Sequence, residues 1–215
     1  MYNSLIMAIA INGDGTITGL SNGGLPDGCI LDADINGMAA SKLTGALPAI
    51  SGANLTGTGI TEVDEWRFNS EFTRSTTDYI TSNWERADTV FSKIGTGMTE
   101  SSGVFTFPST GIWLIDMQIG TFSQNGLSSW IELTCAYSSD GGSNYTTDKI
   151  FSYDHVEYQM GYYAYNTQMT QGIIDVTDTS NWRVKFRCGA GNNSLRFMGG
   201  EHKGNNFRFI RLGDT

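Results

Sequence analysis

After residue 66 apolar and polar positions alternate by twos along most of the chain. This is the period of strands that bury one face and wet the other. The run 111–122 carries it best: Trp113, Ile115, Met117 and Ile119 share one face, while Asp116 and Gln118 share the other. The run 181–188 repeats it, with Trp182, Val184, Phe186 and Cys188 opposite Arg183, Lys185 and Arg187. Further strands are predicted at 65–73, 89–94, 103–107, 130–137, 149–158, 162–169, 172–176, 195–198 and 206–212. Asp140-Gly141-Gly142 supplies a hairpin turn between two of them. Short strands separated by turn residues predict a sandwich of two sheets.

Before residue 66 this pattern is missing. Tyr2 is the only aromatic ahead of Trp66, and 11 of the 27 glycines fall in the first 60 residues. A segment without large side chains cannot offset its backbone ordering entropy by burial of its own, so it must borrow order from neighbours. Ile9, Ile11 and Ile17 flank Asn12-Gly13-Asp14-Gly15 as a hairpin would. Leu31, Ile35 and Met38 share one face of a short helix predicted over 31–43. Leu43-Thr44-Gly45 recurs as Leu55-Thr56-Gly57 in an extended stretch suited to packing against copies of itself. The expected organisation is an N-terminal arm over 1–60 and a β head over 61–215.

Composition narrows the class. Twenty-seven glycines, three prolines and 12% aromatic residues favour sheets over helical bundles. The net charge of −9 and isoelectric point near 4.5 argue against nucleic acid or an anionic membrane as the partner. Cys29, Cys135 and Cys188 are too few for a disulfide framework, so buried free thiols are expected, with a Cys135–Cys188 bridge as the alternative. The apolar run 5–11 has no basic residue before it and is too short to span a bilayer, so the chain is expected to be made in the cytoplasm as a soluble protein. The glycosylation sequons at Asn54, Asn144 and Asn192 carry little meaning without an export signal.

Candidate chemistry is sparse. Asp32, Asp34, Asn36 and Gly37 match the first half of a calcium loop, but Leu43 stands where the closing acid belongs, so no metal is expected. Neither His155 nor His202 sits in a nucleophile motif, and no phosphate loop occurs; neither an enzyme nor a cofactor is expected. The richest stretch is 151–168, where Tyr153, Tyr158, Tyr163 and Tyr165 accompany Asp154, His155 and Glu157. Tyrosine offers a stiff surface with a polar tip, suited to sugars or protein epitopes, and these seven residues are the candidate binding set. The competing expectation is that the rings fill the sandwich or line the axis of an assembly of copies. Arg183, Lys185 and Arg187, with Arg196, Arg208 and Arg211, could meet acidic polysaccharide or pair with acids on adjoining strands.

Gly103-Val104-Phe105-Thr106-Phe107-Pro108, then Gly111-Ile112-Trp113, resembles the G-x-F-x-x-P-x-x-G-x-Y/W signature of the globular head of complement C1q-like and tumour-necrosis-factor-like proteins. Ile173-Ile174-Asp175-Val176 and the run 197–212 look like that family's late strands. The resemblance implies a ten-stranded jelly roll assembled as a homotrimer; family members sometimes hold calcium near the trimer axis, but no motif here fixes ligands for it. The N-terminal runs 8–28 and 42–57 resemble those of bacteriophage fibre and other virion proteins. Together these imply a trimeric virion protein, docked on other virion proteins through its arm. The leading expectation is a tail-fibre-like adhesin for host-surface carbohydrate or protein. A capsid decoration or head fibre comes second, and a glycan-processing enzyme third.

Overall fold

The computed structural model describes residues 59–124, 130–155, 163–191, 195–200 and 204–215, together with a short strand pair near the N-terminus. The chain divides into two compact units, Met1–Asn54 and Leu55–Thr215. In the first, β1 (Ala10–Ile11) pairs antiparallel with β2 (Ile17–Thr18), setting Ile11 opposite Ile17, as the Asn-Gly-Asp-Gly turn predicts. The helix expected over 31–43, the partial calcium loop and Cys29 lie outside the described residues.

The second unit is built from β3 (Val63–Phe68), β4 (Phe72–Arg74), β5 (Asp78–Tyr79), β6 (Trp84–Arg86), β7 (Lys93–Ile94), β8 (Thr99–Ser101), β9 (Val104–Thr106), β10 (Gly111–Gln124), β11 (Ile131–Ser138), β12 (Thr146–Asp154), β13 (Tyr163–Val176), β14 (Arg183–Ala190), β15 (Leu195–Phe197) and β16 (Asn206–Gly213). They form two antiparallel sheets. In the first, β10 is the hub: β13 pairs along one edge, while β16 and β15 share the other. Beyond β16 come β3 and then β6 and β7, and β4 hangs on β15. The second sheet runs β12-β11-β14, after which β9 and β5 share the next edge and β8 closes on β9.

The core lies where alternation sends side chains from both sheets. Trp113, Ile115, Met117 and Ile119 enter from β10, and Leu133, Cys135, Val184, Phe186 and Cys188 enter from β11 and β14. Aromatic rings dominate its centre. Trp84 stands 4.9 Å from Phe68, 5.0 Å from Phe105 and 4.8 Å from Phe207 between ring centroids, inside the range of favourable ring pairs. Cys135 and Cys188 are both buried free thiols, and burial pushes the Cys188 thiol up to about 12.

The break after Phe107 carries the chain from the second sheet to the first. Phe107 and Trp113 meet across it at 5.2 Å, and the Trp113 indole donates to the Ser109 carbonyl at 3.3 Å. Just upstream, Ser102 and Gly103 turn β8 into β9 with φ of 52° and 80°, a two-residue hairpin whose twist matches its strands. A Cβ on Gly103 would lie 2.1 Å from the Ile80 carbonyl oxygen. Gly103→Ala should therefore lose about 1–3 kcal/mol by backbone strain, with the clash adding to it, measured as a shift in urea midpoint.

The expected strands differ from the observed ones in instructive places. The run 65–73 is two strands, β3 and β4, while of 89–94 only Lys93–Ile94 pairs. The runs 162–169 and 172–176 are the single fourteen-residue β13. Gly172 is no turn there: a Cβ on it would stand 2.4 Å from Ile150 Cγ1, so the glycine admits the β12 side chain between the sheets. The short strands β5, β6 and β8 have too few residues to show a period.

Candidate functional site

On β11, Leu133 and Cys135 point into the core, so Glu132 and Thr134 face outward from the second sheet. Glu132 is nevertheless only 4% exposed. It accepts from Arg187 Nε at 2.7 Å, Thr134 Oγ1 at 2.7 Å and Thr77 Oγ1 at 3.2 Å. Burial opposes the charge on Arg187 but is outweighed by the Glu132 hydrogen bonds and charge, with the Tyr153 phenol adding to them, and the guanidinium lies above its ordinary range.

Tyr153, register partner of Glu132 on the edge strand β12, covers this ion pair and remains 56% exposed. Its ring meets that of exposed Phe151 at 5.6 Å. Two residues along β14, the Lys185 ammonium lies 4.4 Å from the Tyr145 ring and 5.5 Å from the Tyr79 ring. The outer face of the second sheet thus presents one stripe: Phe151, Tyr153, Arg187, Lys185, Tyr79 and Tyr145. Sequence reasoning put Tyr153 and the basic row in separate groups; strand pairing makes them neighbours. Phe151 opens the stretch 151–168 but was not among the seven candidates, and Tyr79 and Tyr145 were missed because nothing along the chain links them to it.

The remaining candidates scatter. Tyr165 extends from the opposite outer face, that of the first sheet, where it stacks on Phe122 at 5.8 Å and is 65% exposed. Asp154 alternates inward to the seam where β12 meets β13. There it accepts from Asn166 Nδ2 at 2.7 Å, from the His155 amide at 2.8 Å and from Gln168 Nε2 at 3.2 Å. The Asn166 bond, then the His155 amide, hold its carboxyl below the usual range against a small opposing effect of burial. Ser152 donates to Gln168 at 2.6 Å in the same seam, so Asp154 helps close the sandwich edge. His155 follows it, exposed. Tyr163 pairs with Gln124 through its backbone, and Glu157 and Tyr158 lie outside the described residues.

The other basic side chains are largely engaged. Arg183 donates to the carbonyls of Thr179 and Trp182, each at 2.7 Å. Arg208 bridges Glu65 at 2.7 Å and Asp116 at 2.9 Å, and Arg196 and Arg211 pair with Glu71 and Asp214. Among the described residues no three His, Cys, Asp or Glu side chains gather as a metal site. The stripe can recognise a surface by stacking and hydrogen bonding.

No family model matches the chain, and no curated protein does. Solved structures do. Murine APRIL at pH 8.0 is 14% identical with a TM-score of 0.50, covering 70% of this chain and 98% of that one. Eiger TNF from S. frugiperda is 15% identical with a TM-score of 0.51, covering 71% and 93%. Murine APRIL at pH 5.0 gives 14% and 0.51, covering 70% and 98%. At such identity the likeness speaks for the fold alone: the sandwich is a tumour-necrosis-factor-like jelly roll.

Proposed function

We propose that the chain is a virion structural protein: a homotrimeric, tail-fibre-like adhesin of a bacteriophage, docked on other virion proteins by its N-terminal unit and binding host-surface carbohydrate or protein through its head. The observation that carries the trimer is the outer face of the first sheet. Tyr165, Met169 and Ile173 stand on one face of β13 at 65, 62 and 60% exposure. Leu114 and Ile210 lie in register beside Ile173, so the apolar surface runs across three strands. A patch of that kind on a free head calls for a partner, and identical copies meeting on one axis cover it equally. The second sheet's outer stripe then remains free, displayed three times, so weak contacts add.

Sedimentation equilibrium of the full chain at micromolar concentration should give three times the chain mass, and Ile173→Arg should give single chains. A folded monomer for the native chain overturns the trimer. The Tyr153→Ala, Lys185→Ala double variant should stay trimeric yet compete several-fold less well with phage for host cells; undiminished competition removes the stripe from the receptor role. Immunogold labelling of the capsid instead of the tail would favour the decoration reading, and sugar release from host polysaccharide the enzymatic one.

A further inference from the structure

β12 and β13 are the outer strands of their sheets on one side of the sandwich, and side chains close the seam between them in step. Asn166 donates to Asp154 at 2.7 Å, Ser152 to Gln168 at 2.6 Å and Thr170 Oγ1 to the Phe151 carbonyl at 3.2 Å, and Ile150 fills the space that Gly172 leaves. The next step of that progression brings Lys149 to Ile173 and Ile174, and there the seam opens into a cavity of about 450 Å³. Ile112 and Ile174 line it from the first sheet. Tyr137 of β11 and Trp182, at the entry to β14, line it from the second, with their rings stacked at 6.2 Å between centroids. The lining is within reach of solvent: Lys149 and Asp175 are exposed, and Ile112, Tyr137 and Trp182 are half-buried.

Two opposite charges line this cavity, and the fold uses neither. The Lys149 ammonium lies 5.7 Å from the Tyr137 ring centroid and has no acid or hydrogen-bond acceptor among the described residues. Asp175, which follows Ile174 on β13, has no donor among them either. The described arginines differ: each is held by a carboxylate or a carbonyl. An anion in the cavity would answer Lys149 but set a like charge near Asp175, and a cation would do the reverse. A neutral ligand would take water from both charges and return no counter-charge. A zwitterion answers both at once, and an apolar body beside its charged ends suits Ile112, Ile174 and the Trp182 ring. An α-amino acid carries its two charges on one carbon with the side chain beside them, and the volume lies within the range of small-molecule sites. We propose that this seam cavity binds a free α-amino acid with an apolar side chain, its carboxylate on Lys149, its ammonium on Asp175 and its side chain against Ile174 and Trp182. The inference goes beyond the virion reading and does not depend on it.

Saturation-transfer NMR on the full chain at neutral pH, with L-leucine and L-phenylalanine as probes, tests it. At least one of the two should bind. The amide of that amino acid, which lacks the carboxylate, and its N-acetyl derivative, which lacks the ammonium, should each bind about ten-fold more weakly. Lys149→Gln and Asp175→Asn should each weaken the intact amino acid by a similar factor. Both side chains are exposed and hold nothing else in place, so both variants should keep the urea midpoint of the native chain. Absence of transfer from both probes, equal binding of either singly charged derivative, or an affinity unmoved by both substitutions overturns the site. The adsorption assay above reads the adhesin role separately, so either idea can fail while the other stands.

Discussion

Phe105→Ala should lower the unfolding free energy by about 3–5 kcal/mol, read from urea or guanidinium midpoints at constant m-value. Phe105 sits on β9 of the second sheet yet is fully buried against rings of the first. Its centroid lies 5.3 Å from Trp66, 5.0 Å from Trp84 and 5.4 Å from Phe209, and 5.3 Å from Phe186 within its own sheet. Removing the ring forfeits its transfer energy and leaves a cavity that four rigid neighbours cannot close. Single domains hold only about 5–15 kcal/mol in total, so the loss would take a large share. Phe105→Leu keeps much of the volume and should lose clearly less. A loss below about 1 kcal/mol for the alanine variant would mean that this aromatic cluster is not the centre of the core.

The second large effect is expected at Asp64. This carboxylate is 1% exposed on the core-facing side of β3. Arg86 Nε donates to Oδ1 at 2.8 Å, while the Trp66 indole at 2.8 Å and the Met98 amide at 2.7 Å donate to Oδ2. One side chain thereby ties β3 to β6 and to the segment entering β8. Asp64→Ala leaves the Arg86 charge and two buried donors unmatched, for an expected loss of about 3–5 kcal/mol. Asp64→Asn preserves the shape and one acceptor and should lose less; equal losses for the two variants would show that the charge, and not the shape and single acceptor that asparagine keeps, is what Asp64 contributes. Both can be measured in the same denaturation series as the Phe105 variants.

The two cases differ in how far the sequence reveals them. Phe105 is visible: it sits in the Gly103–Trp113 signature and alternates correctly. Asp64 is not. A charge on the buried face breaks the binary pattern, so a strand read from periodicity starts after it, at residue 65. Gly172 misleads for the opposite reason, because a residue that punctuates strands locally is here a place for Ile150 to enter. The binding set shows the same limit. Tyr153 and Tyr165 belong to one aromatic-rich stretch, yet they sit on edge strands of different sheets and extend from opposite outer faces. Lys185 and Arg187, 32 and 34 residues after Tyr153, complete its surface through pairing with β11.

What the sequence by itself determined is the class of object: an all-β head of alternating strands, buried thiols at Cys135 and Cys188, and an N-terminal segment poor in large side chains. These follow from period, size and local backbone freedom, which act within a few residues. Which faces meet, which charges are matched and which polar atoms are left open were decided only by the tertiary structure. Strand pairing and sheet packing join residues far apart in the chain, and hydrogen-bond satisfaction depends on every neighbour brought together at once.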